Sequence, residues 1–239
     1  MESPAFSDPR QQDVAATREI LEAIAASGKE AKLPVMATAE LAALGALADD
    51  PLIDARALEW WNVQPEQETL TRRAYDHLAQ RSLVDPASGR IHPQLGLILA
   101  GRARPSFVLV CREKPDADPN MMHVFGIADE TAGLRAVLIE GSLPIDLKWA
   151  GPAYDYVVSN ARKTSHDLAE WAAGHKHRTI DIFLPGSETN LPSHRFVVSP
   201  ALRRLHVDQV TPALKPQRVT CSESELAGLL LDAMTGASQ

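Results

Sequence analysis

The chain has 239 residues, of which 45% are hydrophobic, so it can bury a substantial core as one large domain or two small ones. Its formal net charge is −7, and the acidity is even: residues 1–105 carry 11 basic and 15 acidic side chains, and the rest carry 13 and 16. Because affinity for nucleic acid depends on cationic contacts to phosphate, this balance disfavours a nucleic-acid-binding protein. No apolar run approaches the roughly 20 residues of a membrane span, and the first residues lack the pattern of a secretion signal. The sequence therefore predicts a cytoplasmic protein.

Helical patterns dominate the first 105 residues. Residues 1–12 are polar and are predicted to be disordered, and apolar stripes predict helices over 13–27, from Thr38, from Pro51, from Pro65 and over 91–104. The helix after Pro65 is followed by a tight turn at residues 86–89 and a short extended piece. That order is the outline of the second helix and wing of a winged helix-turn-helix. Residues 13–105 are therefore predicted to form an all-helical, winged-helix-like region.

Short β-rich runs replace the helical pattern after Pro105. Their turn-forming connections are short, which forces neighbouring strands to be antiparallel. A long helix is predicted over 154–173, and a closing helix begins with the Ser-x-x-Glu capping box of Ser222 and Glu225. The sequence predicts an α+β protein, with an antiparallel sheet of about seven strands and two C-terminal helices over 106–239. This part reads as strands followed by a helix, twice over. The seven runs are SFVLVCREK, MMHVFGIAD, LRAVLIEG, IDLKW, RTIDIFL, HRFVVS and LHVDQVT.

No catalytic, cofactor or metal motif is present in the sequence. Residues 165–167, Ser-His-Asp, are contiguous, whereas a catalytic triad is assembled from separated positions and consecutive side chains on a helix diverge. The tract at residues 175–177, His-Lys-His, lies at a predicted helix end, where cations complement the helix dipole, and it matches no zinc-ligand spacing. Cys111 and Cys221 are predicted to be free thiols. The sequence predicts a non-enzymatic protein without cofactor or metal, and an enzyme without a known motif remains an alternative.

Apolar side chains at unusual positions indicate a protein-binding surface. Trp60 and Trp61 are adjacent, and neighbouring indoles on a helix diverge by about 100 degrees, so one of them can face a partner. Met121 and Met122 lie at the foot of a predicted hairpin, and methionine adapts to apolar partners. These four residues and Phe125 are the predicted partner-binding residues. The alternative is that both tryptophans pack between the helices and the sheet and that both methionines fill the core. The surface is expected at the sheet edge and the hairpins around residues 113–122 and 128–133, with a tryptophan nearby.

A transcriptional regulator is the alternative function. Arg72, Arg73 and Arg81 lie on or near the helix that would read DNA, and Arg90 occupies the wing position. Asp76 and Asp85 lie on or beside the same surface and oppose binding to phosphate. Under this alternative the C-terminal part would sense a ligand or form a dimer.

One segment resembles a known family. The stretch AYDHLAQRSLVDPASGRIHPQLGLILAGRARPSFVLVCRE contains a helix that ends in Leu-x-x-Arg-Ser-Leu-Val-Asp at residues 78–85, a His-Pro-x-Leu at 92–95, an Ala-Arg-Pro at 103–105 and a first strand. It is similar to the actinobacterial EspG family of cytosolic chaperones for ESX, or type VII, secretion. In that family a glycine usually stands where this chain has Ser82. Residues 1–32 have no counterpart, and the C-terminal half matches only in its order of elements.

The resemblance implies a fold, a function and a class of partner. The fold is a central antiparallel sheet flanked by helical subdomains, and no catalysis is implied. Such chaperones hold the helical tip of a secreted PE–PPE heterodimer or a WxG-like protein, so that its apolar surface stays covered until export. The recognition would place a helix in a groove and depend on apolar burial, which suits an acidic protein better than DNA binding does.

Overall fold

A single large antiparallel sheet organises the protein. The structure, a computed structural model, describes residues 19–21, 23–24, 30–47, 51–103, 105–113, 122–127, 136–174, 177–184, 191–201, 204–211 and 215–235. The predicted disordered segment 1–12 lies outside these residues, and of the helix predicted over 13–27 residues 19–21, 23 and 24 are helical. The next elements are β1 (Ala31–Ala37), α1 (Thr38–Ala43), α2 (Pro51–Asn62), α3 (Gln67–Gln80) and α4 (Pro93–Ala103).

Two runs of four strands and a helix make up the rest of the chain. The first contains β2 (Val108–Arg112), β3 (Met122–Ile127), β4 (Ala136–Leu147), β5 (Gly151–Asn160) and α5 (Ala161–Ala173). The second contains β6 (Arg178–Phe183), β7 (His194–Ala201), β8 (Arg204–Val210), β9 (Gln217–Cys221) and α6 (Glu223–Thr235). The order strands then helix, twice over, is therefore present as the sequence predicts.

The strands form one sheet in the order β1-β5-β4-β3-β2-β6-β7-β8-β9. Each run of four strands is a meander, and the two meanders meet at the antiparallel pair β2 and β6, where Val110 stands opposite Asp181. β1 is added at the outer edge of β5, with Leu33 opposite Tyr156. Helices follow both meanders, so the two halves of the sheet are related by an approximate two-fold repeat of the same elements.

Different helices cover the two faces of the sheet. On one face α5 and α6 pack over the whole centre, and Leu168, Leu226 and Leu230 contact Phe107, Ile180 and other buried strand residues. On the opposite face the N-terminal helices pack only over β1 and the first meander, where Leu78, Leu95 and Ile98 meet Phe125 and Tyr156. The described residues of β6–β9 contribute nothing to this second core. The two halves of the sheet therefore differ in how they are covered.

The predicted fold class is wrong in two respects. The sheet has nine strands instead of about seven, and the N-terminal region is not all-helical because β1 belongs to the sheet. β1 contains Pro34, which lacks an amide hydrogen and is tolerated because β1 is an edge strand. The winged-helix outline also fails, since the segment after α3 forms one isolated bridge, Val84 to Ile91, and no two-stranded wing. β1 also joins region 13–105 to the sheet of region 106–239.

Two further strands were missed, and two predicted strands are one. Residues 151–160 form β5, although the pattern predicted a helix from Tyr154, and β9 was not predicted. Residues 136–141 of the run LRAVLIEG and residues 145–147 of IDLKW belong to the single strand β4, which accommodates both through an irregularity between Ser142 and Asp146. The helix α5 begins at Ala161, where the side chain of Asn160 accepts hydrogen bonds from the amides of Arg162 and Lys163.

The turn after α3 contains a left-handed residue that is not glycine. The amide of Ser82 donates to the carbonyl of Ala79, and the amide of Leu83 donates to the carbonyl of Leu78, 2.9 Å away in both cases. This is the Schellman arrangement, in which the residue after the C-cap adopts positive φ and is usually glycine. Ser82 has φ +57°, and its side chain is exposed. The β-carbon of Ser82 therefore strains this turn.

Replacing Ser82 with glycine is expected to stabilise the protein by about 0.5–1 kcal/mol, because relief of left-handed strain exceeds the added backbone entropy of the unfolded chain. Urea unfolding followed by circular dichroism measures the change. Ser88→Gly, in the following turn, is the control and should not stabilise. A Ser82→Gly variant less stable than the wild type would show that the turn is not strained.

Candidate protein-binding site

Three half-buried tryptophans lie at one corner of the molecule, where α2 and α3 meet the turn between β4 and β5. Trp60 and Trp61 are consecutive on α2, and their ring centroids are 6.3 Å apart. Trp149 lies in the turn before β5. All three pack against the buried alanines Ala37, Ala39, Ala74 and Ala150. We call Trp60, Trp61 and Trp149 the tryptophan corner.

Gly151 allows the indole of Trp60 to pack directly against the backbone of the sheet. Its φ is +76°, a left-handed conformation, and a β-carbon at this position would stand 2.6 Å from Cε3 of Trp60. The indole therefore lies directly on the backbone at the start of β5. Only glycine satisfies both requirements, the positive φ and the close approach of a ring. The position of Trp60 is thus fixed by the β4–β5 turn and not by α2 alone.

Side chains from α3 hold Trp149. The guanidinium carbon of Arg73 lies 4.4 Å from the ring centroid, a cation–π contact, and His77 meets the ring edge-on at 5.5 Å between centroids. His77 Nδ1 is in turn 2.8 Å from Oε1 of Glu40. The indole is therefore contacted by two residues one helical turn apart, of which His77 is bonded to the buried Glu40.

Glu40 is the buried carboxylate that joins the corner to β1. Its Oε2 accepts a hydrogen bond from the amide of Ala37 at 2.8 Å, and its Oε1 accepts from Arg81 at 2.8 Å. Arg81 also donates to the carbonyl of Val35 on the edge strand β1 at 2.8 Å. Thr38, expected to cap α1, instead donates its hydroxyl to the carbonyl of Pro152. These bonds make the support of the corner rigid.

The turn between α2 and α3 presents an apolar side chain beside the tryptophans. Gln64 donates to the carbonyl of Trp60 at 2.8 Å, and Gln67 donates to that of Trp61 at 3.0 Å, so two carbonyls in the last turn of α2 are satisfied. Val63, at the tip, is 72% exposed, the most exposed large hydrophobic residue in the described part of the chain. Tryptophan is enriched in protein-binding hot spots, so the tryptophans beside this exposed turn make the corner a candidate binding surface.

Among the described residues, none of the other predicted partner-binding residues is placed at this corner. Met121 is outside the described residues, and of Met122 the structure describes the backbone, in β3 opposite Cys111 and Gly141. Phe125 is fully buried in the core between the sheet and α4, and it presents no surface to a partner. Of the surface predicted around residues 113–122 and 128–133, residues 114–121 and 128–133 lie outside the described part of the chain. Trp60 and Trp61 are the two of the five predicted residues that the described structure places at one surface.

The four arginines of the DNA-binding alternative have contacts within the chain. Arg72 pairs with Glu68 one turn away at 3.5 Å, Arg73 lies over Trp149, and Arg81 bonds Glu40. Arg90 is exposed in the turn, and its carbonyl accepts a hydrogen bond from the amide of Asp85. The side chain of Ser88 donates to Asp85 and is the largest of the effects that lower the pKa of this carboxyl, which therefore stays ionised beside Arg90. Acidic groups thus accompany three of the four positions.

A buried cluster of charged and polar side chains lies between α4 and the sheet. Arg102 of α4 bonds the fully buried carboxylate of Glu140, which also accepts from the hydroxyl of Tyr156 at 2.7 Å. His123 Nδ1 lies 3.4 Å from the other oxygen, too far for a strong hydrogen bond. Burial raises the pKa of Glu140, but the charge of Arg102, with His123 and Tyr156, outweighs it and lowers the pKa to about 2. The group is a closed ion pair that fastens α4 to the sheet.

Metal and thiol chemistry find no support in the described residues. None of the histidine, cysteine, aspartate and glutamate side chains among them form a group of three that could hold a metal ion. Cys111 and Cys221 are both buried with free thiols, as predicted, and burial raises the pKa of the Cys111 thiol to about 12. Among the helices described, none is long and apolar enough to cross a membrane.

Trp149 and its supports are the part of the corner that the sequence did not predict. The run IDLKW predicts Trp149 to be a strand residue, whereas it lies half-buried in the turn that follows β4. The sequence Trp-Ala-Gly-Pro at 149–152 carries the signal, since glycine before proline is typical of a turn.

The chain matches no model of a known protein family, and no curated protein aligns with it. The fold and the corner define it physically as an α+β protein with a nine-stranded antiparallel sheet, helices on both faces and a tryptophan-rich surface.

Proposed function

We propose that the protein is a non-enzymatic cytoplasmic chaperone of the EspG type, which holds a helical protein destined for type VII secretion. One observation supports this more than any other. In the segment that resembles the family, Ser82 replaces the usual glycine, and Ser82 has φ +57° at the end of α3. A backbone position that favours glycine by its geometry is where the family has glycine. The left-handed conformation of residue 82 supports the proposed resemblance.

The arrangement of the fold also supports the proposal. The resemblance implies a central antiparallel sheet flanked by helical subdomains, and here helices pack on both faces of such a sheet. The contact surface in this proposal is the tryptophan corner, with Val63 at its rim. Tryptophan buries a large apolar area on binding with little loss of side-chain freedom, so a few such residues can hold the apolar face of a helix.

Co-expression with a helical secreted protein tests the function. The candidate partner is the product of a neighbouring gene for a PE–PPE-like pair or a WxG-like protein, and the two should co-elute in size-exclusion chromatography. Val63→Asp places a charge at the apolar rim and is expected to weaken the complex about tenfold or more, since a charge buried at an interface without a partner costs about 2 kcal/mol. Isothermal titration calorimetry measures the affinity.

Leu191→Asp is the matched control, because Leu191 is another exposed hydrophobic residue, 59% accessible, outside the corner. It should bind as the wild type does. Equal loss of affinity in both variants would show that the tryptophan corner is not the binding surface. Failure of every such partner to co-elute would count against the chaperone function.

Binding to duplex DNA distinguishes the alternative function. A regulator should bind random duplex DNA at low salt, with an affinity that falls steeply as salt is added, and Arg72→Ala and Arg73→Ala should weaken it. Binding of that kind, without co-elution of a helical protein, would replace the chaperone proposal with the regulator.

A further inference from the structure

The half of the sheet that the N-terminal helices leave uncovered carries an organised polar surface. One row of directly opposed residues runs across the sheet on this face, from Tyr156 beneath α4, through Glu140, His123 and Val110, to Asp181 and Arg195. The first part of the row is buried under α4, and the second part continues onto β6 and β7. Along β7 and β8 the face includes the half-buried Val197 and Val210. We call the face of β6–β9 on this side the open face; Thr179 and Asp181 of β6 are fully buried in it, and the exposed side chains belong to β7–β9.

Both carboxylates of the open face are already bonded within the sheet. Asp181 is fully buried and accepts from Arg195 through Nε at 2.6 Å and Nη2 at 3.0 Å, and Arg112 donates to it as well. On the neighbouring strands Asp208 accepts from Arg218 through Nε at 2.6 Å and Nη2 at 2.8 Å. The hydrogen bonds from Arg218 keep the pKa of Asp208 below its ordinary value. Both carboxylates therefore already accept hydrogen bonds from arginines of the same sheet.

Hydrogen-bond donors and apolar atoms remain available to a partner. Arg195 and Arg218 keep 40% and 70% of their side chains exposed. His206 is exposed, and its Nδ1 is 3.1 Å from the hydroxyl of Thr220, so Nε2 points away from that bond. Arg204 of β8 lies on the same face, 56% exposed and 3.3 Å from Glu225 of α6. The arginines Arg112, Arg195, Arg204 and Arg218 against Asp181, Asp208 and Glu225 leave one net positive charge, on a chain whose total is −7. An incoming helix that brought arginine or lysine would find no vacant carboxylate among the described residues of this face.

We propose that the open face docks an acidic amphipathic segment of a partner protein, with its carboxylates on Arg195 and Arg218 and its apolar side chains on Val197 and Val210. The arginines are already oriented by Asp181 and Asp208, so little side-chain freedom is lost on binding. This inference rests on the proposed function only in naming a protein partner, and it specifies the chemistry of that partner. The open face and the tryptophan corner are separate surfaces.

A synthetic amphipathic helix with glutamate and leucine on one face is the probe, and its counterpart has lysine in place of glutamate. Titration into isotopically labelled full-length protein should shift amide resonances of β7–β9 with the glutamate peptide and not with the lysine peptide.

Arg218→Glu should lower the affinity for the glutamate peptide about tenfold, because like charges oppose docking. Added salt should lower the affinity of the wild type for the same peptide. Arg72→Glu is the matched control, since Arg72 is 74% exposed and pairs with one carboxylate, but on α3. It should leave the affinity unchanged.

Each other outcome overturns the proposal. Equal binding of the two peptides, shifts that map to the tryptophan corner or to α5 and α6, equal effects of Arg218→Glu and Arg72→Glu, or no shift at millimolar peptide would all do so. The result is separable from the test of the chaperone. A protein that binds the glutamate peptide here but co-elutes with no secreted partner keeps the docking surface and loses the secretion role.

Discussion

Replacing Arg102 with methionine is expected to lower the free energy of unfolding by about 3–5 kcal/mol, because it leaves a buried carboxylate without its counter-charge. Arg102 and Glu140 expose 2% and 0% of their side chains, and Glu140 lies between α4 and the sheet. Methionine keeps much of the packing volume, so the loss reports on charge more than on a cavity. Urea denaturation at neutral pH, followed by circular dichroism, measures the effect.

Two controls separate the pair from a general effect of removing arginine. Arg72→Met breaks an exposed pair with Glu68 and should cost less than about 1 kcal/mol. The double variant Arg102→Met with Glu140→Leu removes both charges and should recover much of the stability, since a buried pair replaced by apolar side chains is often neutral. A double variant that is as unstable as the sum of the two single variants would refute the ion-pair explanation.

The ion pair of Arg102 and Glu140 also makes the stability of the protein depend on pH in acid. The pKa of Glu140 is about 2 in the folded protein, below its ordinary value of 4.5, so the carboxylate favours folding above pH 4.5. This contribution is lost as the pH falls from 4.5 towards 2. The difference in stability between the wild type and Arg102→Met should therefore shrink over that interval.

The predicted helix boundary at Tyr154 shows where periodicity is ambiguous. Tyr154, Val157, Val158 and Ala161 fit the spacing of a helix face, yet residues 151–160 form a strand. Its first four residues are all buried, and Asp155 is exposed between the buried Tyr154 and Tyr156. The alternation typical of a strand is therefore confined to the middle of β5, where it is too short to outweigh the apparent helix spacing. The decisive local signal was Asn160, an N-cap residue, which marks the true start of α5.

β1 could not be predicted because its partner is far along the chain. AKLPVMA is short, contains a proline and precedes a helical stretch, so local preference favours a connection. It becomes a strand by pairing with β5, from Ala31 opposite Val158 to Ala37 opposite Ala153. By contrast, β2, β3, β6, β7 and β8 were predicted near their observed positions, because each is a β-rich run between clear turn residues. Strands set by neighbouring turns are local, whereas β1 is set by tertiary pairing.

Only part of the candidate site could be predicted from the sequence, for a similar reason. Trp60 and Trp61 stand out as a pair, but the meeting of α2, α3 and the β4–β5 turn depends on the whole sheet. Arg73 illustrates the difference between sequence and structure. Its position in the sequence suggests a helix that reads DNA, whereas in the structure its guanidinium lies over the ring of Trp149. Net charge disfavoured DNA binding, although it did not reveal which side chain Arg73 contacts.

Replacing Gly151 with alanine is expected to destabilise the protein by about 2–4 kcal/mol and to displace Trp60. Left-handed backbone costs an alanine about 1–2 kcal/mol, and a side chain forced into a packed site costs about 1–3 kcal/mol. Both apply here, since φ is +76° and the new β-carbon would meet Cδ2, Cε3 and Cε2 of the indole. Urea denaturation gives the stability, and tryptophan fluorescence reports the movement of the ring to a more polar environment.

Gly89→Ala isolates the contribution of the indole. Gly89 has φ +68°, close to that of Gly151, but a β-carbon there meets no atom within 4 Å. Its replacement should cost only the backbone strain, about 1–2 kcal/mol, and leave tryptophan fluorescence unchanged. The excess loss in Gly151→Ala then measures how firmly the sheet seats Trp60. If the two variants were equally stable, Trp60 would be free to move aside, and the corner would adapt to its partner instead of meeting it in a preformed shape.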